Sequence, residues 1–157
     1  MHLSDMVPIS LSRVEYLCLN MREIDRREIF GLSWHDNPLT LAREVVLAAS
    51  YGHAAVSERN GIPTGIIGCS PVRPGVWTMF AFGTDDWRKS AIELSRYGRK
   101  VLRPFMSMRG AHRAQCESHI DHTEAHRWLQ SMGATCDGFL PGYGRDGSTY
   151  LMFSWSE

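Results

Sequence analysis

Apolar and polar positions alternate with two different periods along this chain, and the period changes mark out its elements. "VEYLCLN" at 14–20 reads as a short strand or as the run-in to a helix. "MREIDRREIFGL" then places Met21, Ile24, Ile29 and Phe30 near helical spacing, with charges between them and Gly31 as a stop. Asn37-Pro38 opens a second helix, whose Leu41, Val45 and Ala48 line one face. In "HAAVSERNGIPTGIIGCSPV" two β-prone runs flank Asn60-Gly61, a strong hairpin signal. "GVWTMFAFGT" at 75–84 is a continuous apolar run with aromatic residues, the pattern of a buried central strand.

Asp85 or Asp86 then caps a long helix, "WRKSAIELSRYGRKVLRPF". Leu94, Gly98, Val101 and Phe105 form its inward stripe. Arg96, Arg99, Lys100 and Arg103 face outward, and Pro104 marks the last turn. In "AHRAQCESHI" the period drops to two, with Ala114, Cys116 and Ser118 on one face and Arg113, Gln115, Glu117 and His119 on the other. Asp121 and Glu124 resemble a capping box for a helix whose inward residues are Ala125, Trp128, Leu129 and Met132, ended by Gly133. The tail reads as two strands joined by a Gly-rich bend. This order predicts an α/β protein with one mixed, twisted sheet covered by helices on both faces.

Composition narrows the classes. A chain of 157 residues with 43% hydrophobic and 22% charged residues predicts one globular domain over 1–157, with 1–12 as a disordered arm. Lys plus Arg and Asp plus Glu are 17 each, so no net field favours nucleic acid or an anionic membrane surface. Cys18, Cys69, Cys116 and Cys136 are scattered, a pattern of reduced thiols in a cytoplasm. No window reaches the roughly 18 apolar residues of a membrane span. Oligomeric state is not legible.

Cys116, His119, His122 and His126 look at first like a metal site. Zinc, however, needs ligands converging to about 2.0–2.3 Å. His122 and His126 can share a helix face, but Cys116 lies on the opposite strand face from His119. The expectation is no metal, with His126 solvated and His119 or His122 at a cleft where the strand ends.

The element order, together with "FGTDDW" and "HTEAHRWLQSMGA", resembles the GNAT (Gcn5-related N-acetyltransferase) fold over about residues 13–155. Within it the chain looks like the short GNAT-like proteins of T7-like tailed phages known as internal virion proteins. The resemblance implies acetyl-CoA in a V-shaped opening between strands 76–82 and 111–120, which diverge past Phe82 and Ile120. It implies cofactor contacts from Phe82, Gly83, Thr84, Trp87, Arg88, Lys89 and His122. It implies acetyl transfer to an amine on a small molecule or a protein, in the cytoplasm.

The resemblance also implies a general-acid Tyr after the short helix, for which Tyr143, in the Gly-rich bend, and Tyr150 are the candidates, Tyr143 ahead; on the strand face His119 or Glu117 is the candidate base. Two departures stand out. The family's glycine-rich turn before the long helix is here Gly83-Thr84-Asp85-Asp86-Trp87-Arg88, acidic where a diphosphate should approach. His122 stands where the late motif usually has Asn. The alternative is therefore a non-catalytic virion or assembly protein in a phage-infected host or in the virion, with phage structural proteins as partners.

Overall fold

A computed structural model describes residues 5–156. Seven strands form one sheet in the order β1-β2-β3-β4-β5-β7-β6. They are β1 (Asp5–Pro8), β2 (His53–Arg59), β3 (Ile62–Arg73), β4 (Val76–Gly83), β5 (Arg113–His119), β6 (Thr135–Leu140) and β7 (Tyr150–Ser156). Every neighbouring pair is antiparallel except β4 and β5, which are parallel. Asn60 and Gly61 both have positive φ, 53° and 75°, as a two-residue hairpin turn requires. The stretch expected as an arm contributes β1 from residue 5, paired to β2. Residues 1–4 of that stretch lie outside the described residues.

Helices cover both faces. On one lie α1 (Leu11–Leu19), α2 (Glu23–Phe30) and α3 (Pro38–Tyr51). Residues 14–20 thus belong mostly to a helix, which Ser10 caps by accepting the Arg13 N–H. Asn37 caps α3 through the N–H groups of Leu39 and Thr40, with Pro38 in the first turn. The core here joins Val14, Leu17, Leu41 and Val45 to Val56, Ile66 and Phe82 of the sheet. α3 buries Ala49 where Ala48 was expected.

The expected long helix on the other face is broken. It comprises a 3-10 turn (Trp87–Lys89), α4 (Ala91–Tyr97), a π-helical turn (Gly98–Leu102) and α5 (Arg103–Met108). The Arg103 N–H reaches back to Gly98 O, and Pro104 next to it has no N–H to offer. The wider turn advances the inward stripe by one residue. Leu102 and Met106, 0% and 4% exposed, take the core places that even spacing assigns to Val101 and Phe105, and Val101 is left 37% exposed. They pack with Ile67, Trp77, Met79 and Leu94. α6 (Thr123–Ser131) shares this face, resting Leu129 on Leu151 and Phe153.

Candidate functional site

β4 and β5 pair only at Val76↔Arg113, Trp77↔Ala114 and Thr78↔Gln115, then part. The opening therefore begins near the strand middles, not past Phe82 and Ile120. β5 remains paired to β7 along its whole length, from Arg113↔Ser156 to His119↔Tyr150, and β4 follows β3 up to Gly83. Each strand obeys its antiparallel neighbour, and the weakly paired parallel seam gives way.

α2 bridges the open end. Asp25 accepts the Gly83 N–H at the tip of β4 (2.9 Å), and the Arg22 N–H donates to Gly83 O (2.9 Å). One turn on, Glu28 accepts from Ser118 Oγ (3.1 Å) and the His119 N–H (3.2 Å) at the tip of β5. Backbone groups alternate along a strand, so those of Ala81, past the last pair Thr78↔Gln115, lie on the same edge of β4 as those of Gly83.

A cavity of ≈ 480 Å³ fills the wedge and is lined by side chains from both faces of the sheet. On the α2–α3 side its walls are Ile29, Leu32, Leu41, Val45 and Phe80; on the α4–α6 side they include Ile67, Met79, Trp87, Trp128 and Met132. Its polar lining includes Arg22, Asp25, Glu28, Glu117, His122 and Glu124.

Asp25 is 3% exposed and takes both Arg22 Nε and Nη2 at 3.0 Å. Burial pushes its carboxyl up from the ordinary value, against the opposing pull of Arg22 and the Gly83 N–H. His122, 4% exposed, holds Glu28 through Nδ1 (2.6 Å), and its Nε2 lies 3.6 Å from Asp25. Among the described residues, His122 Nε2 is a buried polar atom without a hydrogen-bond partner.

The turn after β4 differs from expectation. Neither Asp85 nor Asp86 caps a helix with its side chain; Asp86 pairs with Lys89 (3.1 Å), and the α-helix starts three residues after Arg88, at Ala91. Thr84 is buried, its N–H bonded to Thr64 O (3.0 Å). Trp87 is buried too, fitting where Gly83 has no side chain; a Cβ there would come within 2.7 Å of its ring. Arg22 lies 5.1 Å over that ring, and Trp128 meets it edge-on at 5.0 Å.

Arg88, 81% exposed, reaches Glu124 (2.8 Å), which also takes Arg22 (3.4 Å). The arginines hold the Glu124 carboxyl below its usual range, Arg88 most of all. Glu124 therefore makes no capping box with Asp121, which instead pairs with Arg27 (3.4 Å).

Of the candidate proton-transfer residues, the structure brings two together. Tyr143 Oη donates to Glu117 (3.2 Å), and Glu117 lines the wedge. Burial, followed by the Glu117 charge, pushes the Tyr143 hydroxyl up. His119 does not join them. Its ring packs against Tyr150 at 5.2 Å, and its Nδ1 accepts the Asp121 N–H (3.1 Å). His126 donates to His119 O (3.0 Å) and lies on Phe153. The histidines thus take separate partners, and among the described residues no group of three ligating side chains converges on one point. Phe82 points its side chain into the α1–α3 core.

Arg22, Asp25 and Glu28 went unrecognised in the sequence. "REIDRREIF" looks like a solvated charged helix, and only a buried acid at an apolar-phase position separates it from one.

No family model and no curated protein matches the chain. Solved structures do. The ribosomal-protein-alanine N-acetyltransferase from Brucella melitensis is 13% identical, with TM-score 0.73 over 98% of this chain and 99% of that one. RimL, a ribosomal L7/L12 alpha-N-protein acetyltransferase in complex with coenzyme A, is 11% identical, with TM-score 0.67 over 99% and 95%. Aminoglycoside 6'-acetyltransferase type Ii is 14% identical, with TM-score 0.71 over 97% and 96%. At such identities the likeness establishes the fold, which is the GNAT fold.

Proposed function

We propose that this protein transfers an acyl group, acetyl in the simplest case, from acyl-coenzyme A to an amine. The observation that carries the reading is the parted β4–β5 seam: an unpaired strand edge on a cavity lined from both faces of the sheet. Coenzyme A supplies the acyl group as an activated thioester. Its pantetheine arm is a chain of amides, and the backbone groups of Ala81, beyond the last β4–β5 pair, fit such an arm by strand addition. His122 Nε2, buried and unpartnered, fits a further amide N–H in the wedge. Trp87 and Trp128 wall the arm on the α4–α6 side. The diphosphate end falls to Arg22, Arg88 and Lys89, and there Glu124 must release both arginines.

Glu117 takes the proton of the incoming ammonium, freeing the nitrogen lone pair for attack on the thioester carbonyl. A second proton leaves that nitrogen as the C–S bond breaks, passing to the Glu117 carboxylate once its first proton has moved to Tyr143, and from there to solvent. Tyr143 Oη, bonded to Glu117, is placed to give a proton to the departing thiolate and to recover one from Glu117. The half-buried Cys116 thiol is pushed well above its usual value by desolvation, then by Glu28 and Glu117, which argues for direct transfer without an acyl-cysteine.

Melting with acetyl-CoA tests the reading. At 100 times its dissociation constant a ligand adds about 2.7 kcal/mol, a rise of about 5–11 °C for this size. Glu117→Gln should keep that rise and lose amine-dependent thiol release by about 10²-fold or more. The acidic turn at Asp85 and Asp86 favours a second reading, a protein that keeps this fold without catalysis. That reading gains if millimolar acetyl-CoA leaves the melting point unchanged.

A further inference from the structure

The wedge cavity has two unlike ends, and the end under α2 and α3 carries information about the acceptor. Its walls are Ile29, Leu32, Leu41, Val45 and Phe80. The charged side chains placed with them are Glu28 and Glu117. Glu28 Oε2 already serves Ser118, the His119 N–H and His122 Nδ1. Glu117 has only the exposed Tyr143 hydroxyl at its other side. Of the two glutamates at the strand seam Glu117 is the less engaged, and the walls on the α2–α3 side are aliphatic or aromatic.

A cation with a hydrocarbon body matches that surface. An amino acid does not, because its carboxylate would meet two glutamates, while Arg22 of the cavity lining is already held by Asp25 and Glu124. Polyamines and aminoglycosides fit no better: their additional ammonium or hydroxyl groups would be desolvated against aliphatic side chains. Leu32 is 42% exposed, and the next residue but one, Trp34, is fully exposed. The apolar surface therefore continues out of the cavity onto the loop between α2 and α3. Arg145 braces this loop through its N–H to Gly31 O (2.8 Å) and its guanidinium to Ser33 O (3.3 Å).

We infer that the acceptor is a monoamine on an apolar body, an alkylamine or arylalkylamine, whose ammonium is held by Glu117 and whose hydrocarbon part lies against Ile29, Leu32, Leu41, Val45 and Phe80. The inference rests on the acyltransferase reading, and its test separates the two. Acetyl-CoA binding is first measured by calorimetry without any amine. Thiol release is then followed with propylamine, pentylamine, phenethylamine, leucine, spermidine and kanamycin.

The expected result is a kcat/KM that rises about fourfold per added methylene, the equivalent of about 0.8 kcal/mol each. Leucine, spermidine and kanamycin should lie at least tenfold below phenethylamine. Leu32→Asn, at a half-exposed position, should keep its melting point and flatten the alkylamine series. If acetyl-CoA binds but the polar or polycationic amines match or exceed the apolar ones, or no amine reacts, the inference is overturned while cofactor binding stands. If acetyl-CoA does not bind at all, the acyltransferase reading falls and the acceptor assignment with it.

Discussion

Asp25 decides whether the wedge can exist, and Asp25→Ala tests that role. Its carboxylate is 3% exposed and joins three groups: Arg22 Nε and Nη2, each at 3.0 Å, and the Gly83 N–H at 2.9 Å. Alanine leaves Arg22, itself 13% exposed, with only the longer 3.4 Å contact to Glu124. It also strands a buried N–H at the tip of β4. Breaking a buried ion pair by deleting one partner costs about 3–5 kcal/mol, and the orphaned N–H lies within that range when water reaches it through the cavity. For a chain of this length each kcal/mol moves the melting point by about 2–4 °C, so a fall of about 6–20 °C is expected.

Asp25→Asn keeps an acceptor for Gly83 and should fall about half as far. The pH course carries its own sign. Burial raises the Asp25 carboxyl, so the native state keeps this proton to a higher pH than the unfolded chain does. The wild type should therefore lose stability relative to Asp25→Asn as pH climbs from about 4 toward neutral. Differential scanning fluorimetry across that range reads both effects. An Asp25→Ala protein melting within about 2 °C of the wild type, under about 1 kcal/mol, would refute the idea that this carboxylate anchors the strand tip.

Three further outcomes follow from the packing and the charges. Leu102→Ala should cost about 2–5 kcal/mol and Val101→Ala well under 1 kcal/mol; the reverse order in urea melts would remove the π-helical phase shift. His126 is held below its ordinary value, chiefly by burial. The unfolded chain therefore gains a proton the native state refuses, and this contribution, present above about pH 6.5, disappears as pH falls. His126→Gln should accordingly lose less stability than the wild type between pH 7.5 and 5.5, and equal losses would contradict this. Glu124→Ala frees Arg88 and loosens Arg22, which Asp25 still holds, so acetyl-CoA should bind several-fold more tightly in calorimetry, with little change in melting point. Weaker binding would show that Glu124 supports the ligand instead.

Hydrophobic periodicity was enough for the sheet strands from β2 onward, for α3 and α6, for the hairpin at Asn60-Gly61 and for burial on both faces. These features depend on residues within a few positions of one another, and side-chain alternation reports them directly. The family resemblance pointed to His122 and Tyr143, and the strand alternation to Glu117; Glu117 and His122 line the wedge and Tyr143 bonds to Glu117, while their roles are proposals.

The rest depended on contacts far apart in the chain. The π turn came from Pro104 acting on a helix already packed on the sheet, so even spacing misplaced the stripe at Val101. β1 lacked any pattern of its own and exists through its pairing with β2. Asp121 and Glu124 have the spacing of a capping box, yet arginines from distant segments draw both carboxylates away.

The sequence by itself determined that this chain builds an α/β sheet with a buried central strand. Only the tertiary structure decided that the sheet is split. A gap between strands is a relation among elements: β5 is held by β7, β4 by β3, and α2 ties down the two free tips with Asp25 and Glu28. No local spacing records which of two neighbours a strand will follow, because that choice is made by hydrogen bonds between residues ninety or more positions apart, such as Glu28 with Ser118 and His119.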